Sequence, residues 1–354
     1  MDVAPFACSA FAFYSDIITR WSGNKNHAAS FIKVAYFVAV LFHLLKQYSR
    51  LMLRIYCRRL VINKPEYLNL KGPVLFAANH PNSFLDGIIL TTLMQGKLYS
   101  LARGDAFKGK WNGLLRRLRL LPVYRPSEGV ENLAHNYTTF SECRKVFEQG
   151  SMVLIFSEGK CVNEWHLRPL RKGTARLAIS AWDAGIDVTV IPLGFNYSSF
   201  KKFGKSVHLL FGEPLQRSAI TAHAQEGRQH FYFNQQLRQQ LEQLVYEIPL
   251  DDVAQQTSVF NTNAPIVKKV LLALPAAVAV LLHLPFYWVA TAVAGSFKEV
   301  DHYDSILVAM LLIFYPLYLL AAIGIGWFFI GSNALWLLLL MPVCAWAYVQ
   351  IKRS

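Results

Sequence analysis

The chain has few cysteines, and they form no pattern. Cys8, Cys57, Cys143, Cys161 and Cys344 are scattered through 354 residues. No two stand at metal-ligand or redox spacing, so neither a metal centre nor a disulfide framework is expected. The odd number fits a reducing compartment. Acidic residues are also scarce. Asp and Glu number 22 against 36 Lys and Arg, which leaves a formal charge of +14. That surplus calls for an anionic partner. The sequence has no zinc-finger or helix-turn-helix pattern and no basic stripe interleaved with aromatics, which argues against nucleic acid. Anionic lipid, phosphorylated small molecules or a phosphate-bearing carrier remain. The first residues carry Asp2 and no basic run before a clean apolar stretch, so no cleaved signal peptide is expected.

Charge itself is missing from two long stretches, Val270 to Phe297 and Ser305 to Ile351. Each exceeds the roughly 20 apolar residues that a crossing helix needs. Gly331-Ser332-Asn333 is a turn signal that divides the second into a helical pair. Residues 251–354 are therefore read as a linker and C-terminal transmembrane helices. Lys268 and Lys269 put the start of the first stretch on the cytoplasmic side, and the acidic link Glu299–Asp304 then falls outside. Three simple crossings leave Lys352 and Arg353 outside too, against the positive-inside tendency. A re-entrant first stretch, bent at Pro275 and Pro285, removes the conflict. Both topologies stay open.

Residues 1–60 carry a shorter apolar segment, Phe31 to Leu45, interrupted by Lys33 and His43. Lys46, Arg50, Arg54, Arg58 and Arg59 follow at nearly four-residue spacing, which predicts one basic helical face. The segment reads as a membrane-interface helical arm on anionic lipid. An amphipathic helix packed on the core is the alternative.

Residues 61–250 alternate strand and helix patterns. Strands are expected at Val74–Ala78, Leu98–Ala102, Met152–Phe156, Val188–Leu193 and Val207–Phe211. Helices are expected at Glu131–Gln149, Gly173–Ala184 and Arg228–Val245, the first two stopped by Gly150 and Gly185. This alternation predicts an α/β domain with a mostly parallel sheet flanked by helices.

The segment Ala77-Ala78-Asn79-His80-Pro81-Asn82-Ser83-Phe84-Leu85-Asp86-Gly87 holds the chemistry. It follows a strand and precedes an apolar helical run, which puts His80 at the sheet edge where α/β proteins place ligands. An imidazole titrates near neutral pH and suits general-base work, and a carboxylate on its other nitrogen fixes the tautomer. Asp86 is the nearby candidate. Six positions along one helix leave two side chains about 120° apart, so the pair can meet only with His80 on the loop and Asp86 on the helix.

This segment resembles the first motif of the glycerolipid acyltransferase superfamily. The usual form there is His, four residues, then Asp. The longer spacing here is similar to the branch that includes glycerol-3-phosphate and dihydroxyacetone-phosphate acyltransferases. Leu121-Pro122-Val123-Tyr124-Arg125 resembles the second motif, whose Arg is expected to bind the acceptor phosphate. Phe156-Ser157-Glu158-Gly159-Lys160 resembles the third, usually Phe-Pro-Glu-Gly, a hydroxyl residue and Arg. Glu158 and Gly159 carry over. Lys160-Cys161 replaces the hydroxyl–Arg pair, so phosphate binding passes to Lys160 or to Arg171 and Lys172 in Arg168-Pro169-Leu170-Arg171-Lys172-Gly173. Val190-Ile191-Pro192-Leu193 is similar to the fourth motif. The matching blocks run from about Val74 to Pro214.

The resemblance implies an enzyme that moves a fatty acyl group from acyl-CoA or acyl-carrier protein to a hydroxyl of glycerol 3-phosphate or 1-acylglycerol 3-phosphate. His80 and Asp86 are its catalytic pair. Arg125, Glu158, Gly159, Lys160, Arg171 and Lys172 bind substrate. No metal and no permanently bound cofactor is implied. The partners are membrane lipid, the acyl donor and a phosphorylated acceptor, with the catalytic domain on the cytoplasmic face of the membrane. The departures in the third motif keep another lipid acceptor open (dihydroxyacetone phosphate, a lysophospholipid or an amino-acid lipid). A lipid-binding membrane protein without turnover is the reading from another class.

Overall fold

The computed structural model describes residues 25–124, 135–223, 225–260, 263–297 and 300–352. Residues 1–49 and 50–354 form two units. Helix α1 (Lys25–Tyr56) begins in the first and ends in the second. In the first unit Val40, Leu41, Leu44 and Leu45 are exposed. The helix stops at Tyr56, so Arg58 and Arg59 lie on strand β1 (Cys57–Ile62) and not on the helical face that the spacing of bases suggested. Ladder pairing overrides that periodicity, because β1 runs alongside the last strand of the sheet.

The second unit continues with β2 (Val74–Ala78), α2 (Phe84–Leu93), β3 (Leu98–Arg103), α3 (Asn112–Arg117), β4 (Leu120–Val123), α4 (His135–Glu148) and β5 (Met152–Phe156). Then come α5 (Gly173–Asp183), β6 (Thr189–Tyr197), β7 (Lys205–Phe211), α6 (Arg217–Thr221) and α7 (Glu226–Leu244). The seven strands form one sheet in the order β1-β7-β6-β2-β5-β3-β4. Only β6 and β7 pair antiparallel. The other neighbours are parallel, as the alternating pattern predicts.

Strand β2 is buried along its whole length, which explains its unbroken apolar sequence. Its side chains alternate between two cores. Leu75 and Ala77 join Val153, Leu177 and Phe233, whereas Phe76 and Ala78 join Leu85, Leu90, Leu154 and Ile191. Ala78 stands opposite Phe156 of β5 and Leu193 of β6. The loops after these parallel strands therefore leave the sheet at the same edge.

After α8 (Val253–Phe260) come α9 (Ile266–Ser296), α10 (Tyr303–Ile330) and α11 (Leu337–Ile351). Gly331, at φ 59°, ends α10, and a short 3-10 turn over Gly331–Trp336 leads to α11, so the expected helical pair forms. Two helical stretches, Ile266–Ser296 and Tyr303–Ile351, are long and apolar enough to cross a membrane by length and composition. Only 17% of the most apolar window of each is buried, so their apolar surface lies open, unlike that of a core helix. Pro275 and Pro285 sit inside α9. At its start Lys268 donates to Gln350 of α11, which donates to the Arg58 carbonyl. Near its end Ala290 and Ala294 pack on Leu307 of α10.

Of the two topologies left open, the one that puts the acidic link across the membrane from the α/β domain does not fit its described residues. Asp301 and Asp304 both bond loops at the sheet edge described above. Asp304 is a buried carboxylate that needs donors, and the loop after β2 supplies one of them. Glu299 lies outside the described residues.

Candidate active site

Asn79 carries the β2–β6 pairing one residue beyond the strand. Its side-chain amide donates to the Phe195 carbonyl at 3.0 Å and accepts from the Phe195 N–H at 2.7 Å. His80 then leaves the sheet, and Asp86 falls in the first turn of α2. This is the loop-and-helix placement that the spacing requires. His80 Nδ1 lies 2.9 Å from Asp86 Oδ2.

Asp86 is fully buried and accepts three bonds. Its Oδ2 takes the His80 ring and, at 3.0 Å, the Asn82 N–H, and its Oδ1 takes the Tyr197 hydroxyl at 2.6 Å. Burial and the Asp86 charge push the Tyr197 pKa well above its ordinary value, so Tyr197 stays a donor. An ionised carboxylate can only accept, so Nδ1 carries the imidazole proton and Nε2 keeps its lone pair. Among the described residues Nε2 has no hydrogen-bond partner. The ring lies flat on Phe156, 3.7 Å between centroids and 11° between planes. Its side chain is 13% exposed.

Glu158 braces this loop from the next strand. Its Oε2 accepts the His80 N–H and its Oε1 the Arg168 N–H, both at 3.0 Å. Burial raises its pKa to about 7, although those two amide bonds favour the charged form. Both oxygens are thus occupied by backbone, and Glu158 holds the loop that a substrate meets. Gly159 has φ 70°, which a side chain rarely adopts, and a Cβ there lies 3.1 Å from Arg171 Cγ. The Arg171 N–H in turn donates to the Ser157 carbonyl at 2.7 Å. The third block and the later basic block therefore meet. Lys160, Arg171 and Lys172 are all exposed, and among the described residues no ion pair engages them. Lys172 directly precedes α5. These cations flank the loop after β5, whose neighbour β2 leads into His80. Arg125, the expected phosphate ligand, lies outside the described residues.

Two residues near the pair carry nucleophilic atoms, Cys161 and Ser83. The Cys161 thiol is buried, its pKa is raised by that burial, and it accepts the Ser83 N–H at 2.9 Å. Ser83, at φ 51°, is buried with its hydroxyl 2.6 Å from His302 Nδ1. Among the described residues no cluster of His, Cys, Asp and Glu has the makings of a metal site.

Sequence reasoning misses Tyr197 and the start of α10. Tyr197 lies five residues past Pro192 of the fourth block, on the strand beside β2, and its hydroxyl had no motif to mark it. Asp304 stands directly before the second charge-free stretch, where a lone carboxylate is the available signal. It accepts the Asn82 side-chain amide at 2.6 Å and also bonds Lys205 and Tyr56.

Residues 59–196 match the family model described as Acyltransferase. A solved structure similar to this chain is that of the 1-acyl-sn-glycerophosphate acyltransferase PlsC from Thermotoga maritima. That match has 12% identity and a TM-score of 0.38, and it covers 66% of this chain and 89% of that one. No curated protein matches the chain.

Proposed function

Residues 59–196 being an acyltransferase domain, we propose that this enzyme transfers a fatty acyl group from acyl-CoA or acyl-carrier protein to a hydroxyl of glycerol 3-phosphate or 1-acylglycerol 3-phosphate. The observation that carries this reading is the pairing of His80 with buried Asp86, which leaves Nε2 unpartnered at the sheet edge. Nε2 takes the proton of the acceptor hydroxyl as its oxygen attacks the thioester carbonyl. The tetrahedral intermediate collapses, the C–S bond breaks, and the imidazolium returns the proton to the leaving thiolate. Asp86 stabilises the imidazolium between these steps. Neither step calls for a covalent acyl-enzyme or a metal.

Lys160, Arg171 and Lys172 suit the phosphate of the acceptor or of the carrier, since cationic donors make charge-assisted hydrogen bonds to its oxygens. The resemblance assigns Arg125 the same task. The acyl chain and its product belong in lipid, and the open apolar faces of α9 and α10 suit a chain anchored there. A second surface fits the same setting. Exposed Trp111, Leu114 and Leu118 alternate with Lys108, Lys110 and Arg117, a mixture that settles at an anionic lipid surface.

The test is acyl transfer from labelled acyl-CoA, with membranes carrying the native chain or His80→Ala. Product from the native chain and a loss of at least a hundredfold in the variant are expected. Equal product from both ends the catalytic reading. Competition between glycerol 3-phosphate, 1-acylglycerol 3-phosphate and dihydroxyacetone phosphate identifies the acceptor, which saturates at the lowest concentration.

A further inference from the structure

Part of what holds the loop between His80 and Asp86 comes from outside the matched family region. Pro81 O accepts from the Asn163 side chain at 2.7 Å, and Asn163 N–H donates to Asp301 at 3.3 Å. Ser305 Oγ donates to the Asn82 carbonyl at 2.9 Å and accepts the Leu85 N–H at 3.1 Å. Asp304 Oδ2 accepts the Asn82 side-chain amide at 2.6 Å. Asn82 is the link: its N–H bonds Asp86 and its side chain bonds Asp304. All of Asn82, Asp86, Asp304 and Lys205 are fully buried.

The arrangement has more order than an anchor needs. Asp304 is the common acceptor for Asn82, Tyr56 and Lys205, which come from the loop after β2, the end of α1 and the start of β7. A buried carboxylate with three donors is confined to one position. It therefore fixes Asn82, and through Asn82 the third donor of Asp86. The loop also needs support, because Ser83 sits at a positive φ that a serine rarely holds unaided.

We propose that Asp304 is a positioning residue for the His80–Asp86 pair, so that the first turn of α10 is part of the active site. The proposal rests on the acyl-transfer reading. Asp304 touches no reacting atom. It sets the angle at which Asp86 presents its carboxylate to the imidazole.

The test uses the full chain in lipid nanodiscs with a labelled acyl thioester and two double variants. Lys205→Met with Asp304→Asn, and Lys205→Met with Asp304→Leu, both remove the buried charges as a pair, which a fold tolerates better than losing one. Only the first keeps an acceptor for Asn82. It should hold kcat within about threefold of the native chain, since the amide oxygen can still accept a hydrogen bond. The second should lose at least about tenfold in kcat, with KM for both substrates within about threefold, because binding groups are untouched. Equal kcat in the two variants overturns the proposal. Asn82→Ala cuts the same bond from the other side and serves if the leucine variant does not fold. Full kcat in Asn82→Ala overturns the proposal as well. A native chain without acyl transfer overturns the functional reading instead, so the two failures are distinguishable.

Discussion

Asp86→Asn separates the charge of the orienting group from its shape. The amide has one acceptor where the carboxylate has two. Three donors compete for it: His80 Nδ1 and Asn82 N–H at the Oδ2 position, and Tyr197 O–H at Oδ1. Turned with its NH2 toward the ring, the amide would face the fixed Asn82 N–H, two donors together. The favoured orientation keeps oxygen at the Oδ2 position and lets the Tyr197 oxygen accept from NH2. The tautomer of His80 then survives, and what disappears is the negative charge beside the imidazolium. Two unit charges about 4 Å apart at an effective dielectric of about 20 interact by about 4 kcal/mol. That is about three decades in rate. The expected outcome is a fall in kcat of roughly a thousandfold, with KM for both substrates within threefold. Steady-state acyl transfer on purified protein measures it, alongside thermal unfolding to show that the variant is folded. A folded Asp86→Asn enzyme within tenfold of the native kcat refutes the argument, since the buried charge would then do nothing for the base.

Two further outcomes follow from the same edge of the sheet. Burial lifts Glu158 from 4.5 to about 7, so the folded chain binds that proton more tightly than the unfolded chain does. The resulting stabilisation is complete below about pH 4.5 and is lost as the pH rises through about 7, in total about 3 kcal/mol at about 1.4 kcal/mol per pH unit. Glu158→Gln does not titrate, so its stability relative to the native chain should improve between pH 5 and pH 8. Unfolding temperatures of both proteins at the two pH values check this, and a constant difference contradicts it. Replacing Arg171 and Lys172 together by Gln should raise KM for the phosphorylated acceptor about tenfold with kcat little changed. The effect should shrink at high salt, which screens exposed charge. Acceptor titrations at low and high ionic strength measure both.

Much of the fold could be read from the sequence because its signals are local. The five expected strands form, since runs such as Val74–Ala78 are apolar without interruption and are bounded by turns. Strand β1 escaped because Arg58 and Arg59 continue a basic spacing that belongs to a helix, and its pairing with β7 is a tertiary fact. Strand β4 escaped because its four residues include Pro122. At the site, the pairing of His80 with Asp86 was legible because they stand six positions apart. Tyr197 and Asp304 were not, because they reach the same loop from 111 and 222 residues away, respectively at Asp86 and at Asn82. Spacing says nothing at such separations. The motif names the Glu158 side chain but not the His80 and Arg168 amides that it accepts, because those bonds depend on the folded loops.

The start of α10 also tests what the C-terminal helices are for. A carboxylate in the first turn of a helix is favourable toward the helix dipole, and exposed at a surface it would need no partner. Asp304 is instead fully buried against Lys205, the first residue of β7. Burial pushes the Lys205 ammonium toward its neutral form and Asp304 opposes that. Removing one partner of such a pair costs about 3–5 kcal/mol, because the other charge stays buried. Val308 of α10 belongs to the same core as Leu85 and Leu90 of α2, so its loss opens that core too. A chain ending after Asn263 therefore lacks more than an anchor. If α9 to α11 served only to hold lipid, such a truncation would keep its kcat on water-soluble short-chain acyl thioesters. The contacts of Asp304 and Ser305 instead predict a loss of at least tenfold on those same substrates, accompanied by a lower unfolding temperature. A truncated chain that retains full kcat on short acyl thioesters would separate the helices from the chemistry and refute the link through Asn82.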